Sequence, residues 1–284
     1  MSEQLRVFRR YDAVVAESIV VIGDDIFWCD ITRGQLRRSP IDGAVDGSDD
    51  VVVHVNAPLC SFHPAESGFV VSGGDRVTIV DEQGRSVRIL ATIEHAGPHM
   101  RLNEGKVDPV GRWVTGSMDT QDARPIGAFY SVTADGRSRT IMPGIGTANG
   151  LEWSPDGSRI YFTDTSTGTI YTGSYDADGD ISDVDVFHAG CPHDGLVMDN
   201  KGEFWGALFG EGRVVHLNAD GREIGSITLP VPNLTSVAFA ATTLYIGSAR
   251  EKLTRDELGH HPLSGSIFAV DLDVTAAPPR IFPG

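Results

Sequence analysis

Short runs of β-branched and aromatic residues recur along the whole chain, and Gly, Asp and Asn residues separate them. Within the runs, apolar and polar positions alternate, which is typical of half-buried β-strands. The runs lie at residues 18–22, 26–29, 51–55, 69–72, 77–80, 113–115, 160–163, 204–207 and 244–247. Stretches with the periodicity of a long helix are hard to find. The pattern therefore predicts a protein built almost entirely of short strands.

One unit of this pattern repeats along the chain. Each copy has a turn of the type Asp/Pro-x-x-Gly, an apolar strand, a polar turn and a second strand that ends in Asp-Gly or a similar turn. The copies begin near residues 20, 62, 107, 153, 198 and 239, at intervals of 41 to 46 residues. This interval is typical of a four-stranded propeller blade. Two β-sandwich domains are the alternative, but a sandwich has no reason to repeat at this interval.

We therefore predict an all-β fold, a six-bladed β-propeller, that forms a single domain over residues 1–284. No segment rich in Pro, Ser or Gly divides the chain. The strand around residues 14–22 is expected to pair with the last blade and close the ring, because closure removes free sheet edges.

The chain is acidic, with 23 Lys and Arg residues against 39 Asp and Glu residues and a formal net charge of −16. This charge argues against nucleic acid and against an anionic membrane surface as partners. No apolar run approaches the ~20 residues of a transmembrane helix, and the polar N-terminus does not resemble a secretory signal, so we expect a cytoplasmic protein. Cys29, Cys60 and Cys191 are odd in number and far apart, which argues against a disulfide framework and a cysteine zinc site.

Polar residues that precede the repeats are the candidates for chemistry, because a propeller brings the starts of its blades together at one mouth of a central channel. These residues are Glu17, Arg101, Asn103, Glu104, Asn149 and Asp194. Carboxylate and amide oxygens suit Ca²⁺, Mg²⁺ or Mn²⁺, and carboxylates also bind Zn²⁺ and Fe²⁺. Spacing alone leaves other interpretations open, since Asn-Gly and Asp-Gly commonly form turns and an isolated Glu is commonly a solvated charge.

Four segments carry a resemblance to a known family. The most specific is RLNEGKVDPVGRWVTGSM, which is similar to the signature R-x-N-D-G-K-x-D-P-x-G-R-x-x-x-G-T-M. The segments TANGLEWSPDG, CPHDGLVMDNKGEFWGAL and NLTSVAFAATTLYIGSAR resemble three others. The chain thus resembles the gluconolactonase/regucalcin family from Glu17 to about Asp271. The resemblance implies a six-bladed propeller, in agreement with the repeat.

The resemblance also implies an activity and a role for each candidate residue. The activity is hydrolysis of a sugar lactone with one divalent cation, which is Ca²⁺, Zn²⁺, Mn²⁺, Mg²⁺ or Fe²⁺. The family's metal ligands correspond to Glu17, Asn149 and Asp194, and Asp194 is also the general base. The family's substrate-binding residues correspond to Arg101 and Asn103, followed by Glu104 where the family has Asp.

The sequence also departs from the family pattern. His193 stands where Pro is usual, and Asp119, Thr120 and Gln121 occupy the positions where some relatives carry a substrate-binding Glu. We therefore expect the loops around residues 118–125 and 250–262 to determine which sugar is bound. The expected partner is a small-molecule sugar lactone, and the expected assembly is a monomer or a small homo-oligomer. A non-enzymatic Ca²⁺-binding regulatory protein and a promiscuous ester or phosphotriester hydrolase are the alternatives.

Overall fold

The computed structural model describes residues 4–284. Short strands dominate this part of the chain, in agreement with the alternation of apolar and polar residues. In chain order the strands are β1 (Arg6–Arg9), β2 (Ala16–Ile22), β3 (Asp25–Asp30), β4 (Gln35–Pro40), β5 (Val51–His54), β6 (Ser61–Ala65), β7 (Gly68–Gly73), β8 (Arg76–Val80), β9 (Ser86–Thr92), β10 (Met100–Val107), β11 (Trp113–Asp119), β12 (Gly127–Val132), β13 (Ser138–Ile145), β14 (Ala148–Trp153), β15 (Arg159–Asp164), β16 (Thr169–Tyr175), β17 (Ile181–Ala189), β18 (His193–Met198), β19 (Phe204–Leu208), β20 (Arg213–Leu217), β21 (Glu223–Thr228), β22 (Leu234–Ala240), β23 (Thr243–Ser248) and β24 (Ile267–Asp271).

The strands form six four-stranded antiparallel sheets, which are the blades of a six-bladed β-propeller. Blade 1 contains β2–β5, and blades 2 to 5 contain β6–β9, β10–β13, β14–β17 and β18–β21. Blade 6 contains β22, β23, β24 and β1. The first strands of neighbouring blades pack against each other around the central channel. The predicted propeller is therefore confirmed.

The strand that closes the ring is not the one predicted from the sequence. β1 pairs with β24 and completes blade 6, whereas the run around residues 14–22 contains β2, the innermost strand of blade 1. β2 is enclosed by neighbouring blades as an innermost strand, and the pairing with the last blade that was expected of it is made by the outer strand β1 instead. β1 lies at the outer edge, where Phe8 packs edge-on against Tyr245 at 4.8 Å between ring centroids.

In the described part of the chain, two helices connect strands without entering the ring. A 3₁₀-helix spans Thr165–Thr167 after β15, and α1 spans Arg255–His260 between β23 and β24. Thr254 caps α1, because its side chain accepts a hydrogen bond from the backbone N–H of Glu257. Within residues 4–284, no helix has the length and apolar character needed to cross a membrane.

The chain ends as a segment that crosses one face of the propeller, and we call residues 275–282 the C-terminal strap. The backbone N–H of Asn200 in blade 5 donates to the carbonyl of Thr275 at 2.7 Å. Phe282 pairs in parallel with Ala65 of blade 2, and its N–H donates to the carbonyl of Pro64 at 2.9 Å. Blades 2 and 5 stand opposite each other in a ring of six. The strap therefore spans the channel at the end where the innermost strands finish.

Candidate active site

Five of the six candidate residues line a single cavity where the innermost strands begin. This mouth cavity has a volume of about 250 Å³. It is lined by Glu17, Arg101, Asn103, Asn149 and Asp194, which come from blades 1, 3, 4 and 5. The propeller thus brings together residues that are up to 177 positions apart in sequence, from 17 to 194.

The sixth candidate, Glu104, lies deeper in the channel. It lines a separate cavity of about 40 Å³, together with Ser18 and Lys106. One of its carboxylate oxygens accepts a hydrogen bond from the backbone N–H of Gly105 at 2.8 Å. The predicted contact between Glu104 and substrate stays a prediction, and the structure places this carboxyl beneath the mouth cavity.

The innermost strands lose their regular pairing at the candidate residues. Pairing shifts between Glu17 and Val20 in β2, between Leu102 and Gly105 in β10, between Asn149 and Leu151 in β14, and between His193 and Leu196 in β18. A β-bulge of this kind re-aims side chains and frees them from the alternation of the sheet. Ser18, directly after Glu17, has a φ of 51°, which marks local backbone strain at this position.

Glycines follow two of the candidate ligands because neighbouring strands come very close there. A Cβ atom on Gly150 would lie 2.5 Å from Thr163 Oγ1 and 2.8 Å from the carbonyl oxygen of Asp194. A Cβ atom on Gly195 would lie 2.7 Å from the carbonyl oxygen of Thr235. Both Asn149-Gly150 and Asp194-Gly195 lie inside strands. The interpretation of these dipeptides as turns is therefore wrong.

Glu17 and Asp194 form a carboxyl pair in the channel, which we call the buried carboxyl pair. Asp194 is buried, and Glu17 is half-buried. Burial, together with the negative charge of Glu104, raises the pKa of Glu17 to about 8. Burial and the charges of Glu17 and Glu104 raise the pKa of Asp194 well above its ordinary value. The interaction between the two carboxyl groups lowers the pKa of Glu17 and raises that of Asp194, as expected when one proton is shared between two neighbouring carboxyl groups. Arg101 is the nearby cation that opposes these shifts, so the site carries an excess of buried negative charge.

An amide network connects the remaining residues of the mouth cavity. Asn103 Nδ2 donates to Asn149 Oδ1 at 2.7 Å and to the carbonyl of Ala148 at 2.9 Å. Asn149 Nδ2 in turn donates to Thr165 Oγ1 at 2.8 Å. Asn103 Oδ1 accepts a hydrogen bond from Arg101 Nη1. The side chain of Asn103 therefore fixes the orientations of Arg101 and Asn149.

Arg101 keeps donors available for a ligand. Its Nη1 atom donates to Asn103 Oδ1 and to the carbonyl of Leu102, and it lies 3.4 Å from Cys60 Sγ. In the part of the chain that the structure describes, the Nη2 and Nε atoms of Arg101 have no hydrogen-bond acceptor. A planar guanidinium with free N–H groups suits the recognition of oxygen atoms on a ligand.

The donor set of Glu17, Asn149 and Asp194 fits a divalent cation. Two carboxylates and an amide oxygen are hard oxygen ligands, which Ca²⁺, Mg²⁺ and Mn²⁺ prefer. The buried carboxyl pair supports this fit, because both groups can ionise together only when a positive charge compensates them. The predicted ligands thus line one cavity and have suitable donor atoms, while their role stays a prediction.

The two loops that were expected to determine substrate specificity, residues 118–125 and 250–262, both contribute to the lining of the mouth cavity. Residues 118–121 and Ala123 line one side, and Glu251 and Lys252 line another. Asp119 serves the loop itself, because its carboxylate accepts a hydrogen bond from Arg124 Nε at 2.6 Å and its pKa is lowered to about 2. Thr165, Ser166 and Phe209 also line the cavity. The repeat pattern did not indicate these three residues, because they follow the second strands of their blades and do not precede a repeat.

Comparisons with known proteins agree with this architecture. The family model described as SMP-30/Gluconolactonase/LRE-like region matches residues 15–250. A 6-deoxy-6-sulfogluconolactonase of Pseudomonas putida is 32% identical over the full length of both chains, and an L-arabinolactonase of Azospirillum brasilense is 30% identical over 90% of each chain. The crystal structure of a regucalcin from Agrobacterium tumefaciens shares the fold, with a TM-score of 0.90, 23% identity and coverage of 99% of this chain and 98% of that chain. The chain therefore belongs to the SMP-30/gluconolactonase/LRE-like family.

Proposed function

We propose that this protein is a lactonase that hydrolyses a sugar lactone to the aldonic acid with the help of one divalent cation. The buried carboxyl pair of Glu17 and Asp194 at the open mouth of the propeller is the main support for this proposal. Two relatives named as sugar lactonases, each covering 90% or more of this chain, support the same reaction class.

Glu17, Asn149 and Asp194 would hold the cation. When bound, a divalent cation supplies a Lewis acid that polarises the lactone carbonyl and stabilises negative charge on its oxygen. Glu17 and Asn149 transfer no proton in the proposed reaction. Their contribution is to hold the cation in position, with Glu17 also balancing its charge. Asn103 fixes the orientation of the Asn149 side chain, because its amide group donates to Asn149 Oδ1 at 2.7 Å.

Asp194 is the general base of the proposed reaction. Its carboxylate would accept a proton from the water molecule that attacks the lactone carbonyl. This step needs the ionised form of Asp194, which the buried pair permits only with a compensating positive charge nearby. Among the titratable residues that line the mouth cavity, Asp119 is already held by Arg124, which leaves Asp194 better placed to take the proton.

Arg101 would orient the substrate. Its free Nη2 and Nε donors can bind ring hydroxyl or carboxyl oxygens of a sugar lactone and hold the carbonyl near Asp194. The cavity volume of about 250 Å³ is sufficient for a single sugar ring. Lys252 at the rim adds a second cation on the substrate side, which is compatible with a lactone that carries an acidic substituent.

The test is a hydrolysis assay over a panel of lactones. The protein is stripped with a chelator and refilled separately with Ca²⁺, Mn²⁺, Zn²⁺, Mg²⁺ and Fe²⁺, and acid release is followed with a pH indicator. The panel includes gluconolactone, arabinolactone and 6-deoxy-6-sulfogluconolactone, together with an aryl ester and a phosphotriester. We expect cation-dependent turnover with at least one lactone. Cation binding without turnover on any substrate would instead support a non-enzymatic Ca²⁺-binding protein, and preference for the phosphotriester would support the other alternative.

A further inference from the structure

A second cluster of potential metal ligands lies between blades 4 and 5, outside the mouth cavity. His188 is near the end of β17, the outermost strand of blade 4, and His193 begins β18, the innermost strand of blade 5. Cys191 lies in the loop between them. Each residue offers one ligand atom, and these three atoms lie within 4.8 Å of one another. None of the three residues lines the mouth cavity.

His188 is held in an orientation that leaves one ring nitrogen ready for a ligand. Its Nδ1 atom lies 2.8 Å from the carbonyl oxygen of Gly221. A carbonyl can only accept a hydrogen bond, so Nδ1 carries the proton and Nε2 keeps a free lone pair. The Nε2 atom is buried and has no hydrogen-bond partner within residues 4–284. Histidines that bind metals are commonly anchored in this way through their second nitrogen.

His193 is fully buried, and both of its ring nitrogens lack partners among the residues that the structure describes. Its ring packs against β19 at Gly206, where a Cβ atom would lie 2.9 Å from His193 Nδ1. The ring centroids of His188 and His193 are 5.0 Å apart and nearly perpendicular. Buried polar atoms normally have partners. A single ion could serve as the partner of His188 Nε2 and of one ring nitrogen of His193.

Cys191 completes the cluster from the partly exposed side. Its Sγ atom lies 3.7 Å from Arg213 Nη2. Partial burial and the charge of Glu211 raise the pKa of the Cys191 thiol, and the Arg213 guanidinium opposes this rise. Arg213 also pairs with Glu211 at 3.1 Å and with Glu223 at 2.7 Å, so its positive charge is largely balanced. The partial exposure of Cys191 provides a route for an ion from solvent.

We propose that His188, Cys191 and His193 form a second cation site, which binds Zn²⁺ with two imidazole nitrogens and one thiolate. This donor set suits a borderline-soft ion and is unlike the oxygen ligands of the mouth cavity. On binding, the Cys191 thiol releases its proton to solvent and the sulfur coordinates the ion, with no change of oxidation state. Water would fill the fourth position. The spacing His-x-x-Cys-x-His over residues 188–193 carries this site. It differs from the paired-cysteine pattern on which the expectation against a cysteine zinc site was based.

A further histidine cluster within residues 4–284 has polar atoms that already possess hydrogen-bond partners. Asp199, Glu203 and His216 also offer ligand atoms within 4.8 Å of one another. There, Asp199 Oδ2 accepts from Trp205 Nε1 at 3.0 Å, and His216 Nε2 lies 2.9 Å from Glu203 Oε2. Their polar atoms already have partners, so that cluster needs no ion. The unpartnered nitrogens distinguish the cluster formed by His188, Cys191 and His193.

The test is a titration of the full-length, metal-free protein with Co²⁺ as a spectroscopic probe. We expect one equivalent to produce a sulfur-to-cobalt charge-transfer band in the near ultraviolet, which excess Zn²⁺ then removes. Cys191→Ser should abolish the band, and His188→Gln should weaken cobalt binding at least about tenfold. Cys29→Ala is the matched control for loss of a buried thiol and should retain the band. The oxygen ligands of the mouth cavity cannot give this band, so its presence does not depend on lactonase activity.

A second measurement needs no variant. Alkylation of Cys191 by iodoacetamide, followed by peptide mass spectrometry, should be at least about tenfold slower when Zn²⁺ is present. Absence of the cobalt band in folded protein, persistence of the band in Cys191→Ser, or equal alkylation rates with and without Zn²⁺ would each overturn the proposal. Lactone turnover by Cys191→Ser refilled with Ca²⁺ should match that of the unmodified protein, which separates this site from the proposed active site.

Discussion

The two ends of the central channel are built from the same six strands but differ in structure and chemistry. At the mouth, β2, β10, β14 and β18 are bulged, and buried acidic and amide side chains meet. At the other end, the same strands pair regularly, and the C-terminal strap covers a cavity of about 450 Å³. Val197, Val237, Phe239 and Pro278 contribute to the lining there.

This difference indicates how a regular sheet is adapted for binding. In a regular strand, side chains alternate between two faces, and successive residues cannot point to one spot. A bulge breaks the alternation and strengthens the local twist, so it can direct a side chain such as Glu17 or Asp194 into the channel. Where the innermost strands pair regularly, their side chains pack against neighbouring residues. We therefore expect substitutions at the mouth to change turnover and substitutions at the strap to change stability.

The largest expected effect is on turnover at the mouth. Asp194→Asn should lower kcat/KM on the best lactone by about 10³-fold, because the proposed general base is lost. The stability of the metal-free protein should not decrease, because the substitution removes a charge from a buried cluster of like charges. Steady-state hydrolysis of the cation-loaded protein and thermal unfolding of the metal-free protein provide the check. A variant that retains turnover within tenfold of the unmodified protein would exclude Asp194 as the base.

A similarly large effect on stability is expected at the strap. Phe282 is fully buried and packs in one cluster with Val70, Trp113 and Tyr130. Phe282→Ala should lower the free energy of unfolding by about 3–5 kcal/mol, the usual cost of truncating a core Phe. Urea unfolding measures this change, and kcat/KM of the folded protein should stay within about threefold.

The neighbouring Ile281 provides a matched control for the strap, because it is 61% exposed. Ile281→Ala should change the free energy of unfolding by less than about 0.5 kcal/mol. If Phe282→Ala lowered the free energy of unfolding as little as Ile281→Ala, the backbone hydrogen bonds alone would hold the strap. A large loss of turnover in Phe282→Ala would mean that the two ends of the channel are coupled.

The buried carboxyl pair should also affect stability in the metal-free protein. The pKa of Glu17 rises from 4.5 to about 8 on folding, mainly through burial. Between these values the folded state holds a proton that the unfolded chain has lost, so this group's contribution to stability falls as pH rises. His63 and His193 act in the opposite direction, because burial lowers the pKa of each from 6.5 to about 3.

The quantity to measure is therefore the difference between the unmodified protein and Glu17→Gln. After chelator treatment, urea unfolding at several pH values should show that the variant gains stability relative to the unmodified protein as pH rises from 4.5 to about 8. Refilling with a cation that binds the mouth should reverse the order. Parallel pH profiles for the two proteins would show that Glu17 titrates like an ordinary exposed carboxyl.

The sequence predicted the number of blades because each blade is encoded locally by turns and short strands that repeat. It also predicted Glu17, Asn149 and Asp194 as neighbours, through the position of each before a repeat and the resemblance to a family. The bulges were not predictable in the same way, since a bulge depends on the register of two paired strands. The closing strand β1 was missed because an outer strand is half polar, as in Arg6 to Arg9, and gives a weak apolar signal.

The smallest expected effect concerns the middle of the central channel, between the mouth and the end covered by the C-terminal strap. Lys106 Nζ of blade 3 lies 2.8 Å from Glu152 Oε2 of blade 4, and both side chains are largely buried in the channel below the carboxyl pair. A double-mutant cycle with Lys106→Met and Glu152→Gln should give a coupling free energy of about 1 kcal/mol in urea unfolding, as for a partly exposed ion pair. Turnover of the double variant should stay within about threefold, because neither residue lines the mouth cavity. A loss of turnover beyond tenfold would show that the charges of Lys106 and Glu152 influence the mouth cavity through the neighbouring carboxyl of Glu104. The boundary between the catalytic end and the structural end would then lie deeper in the channel.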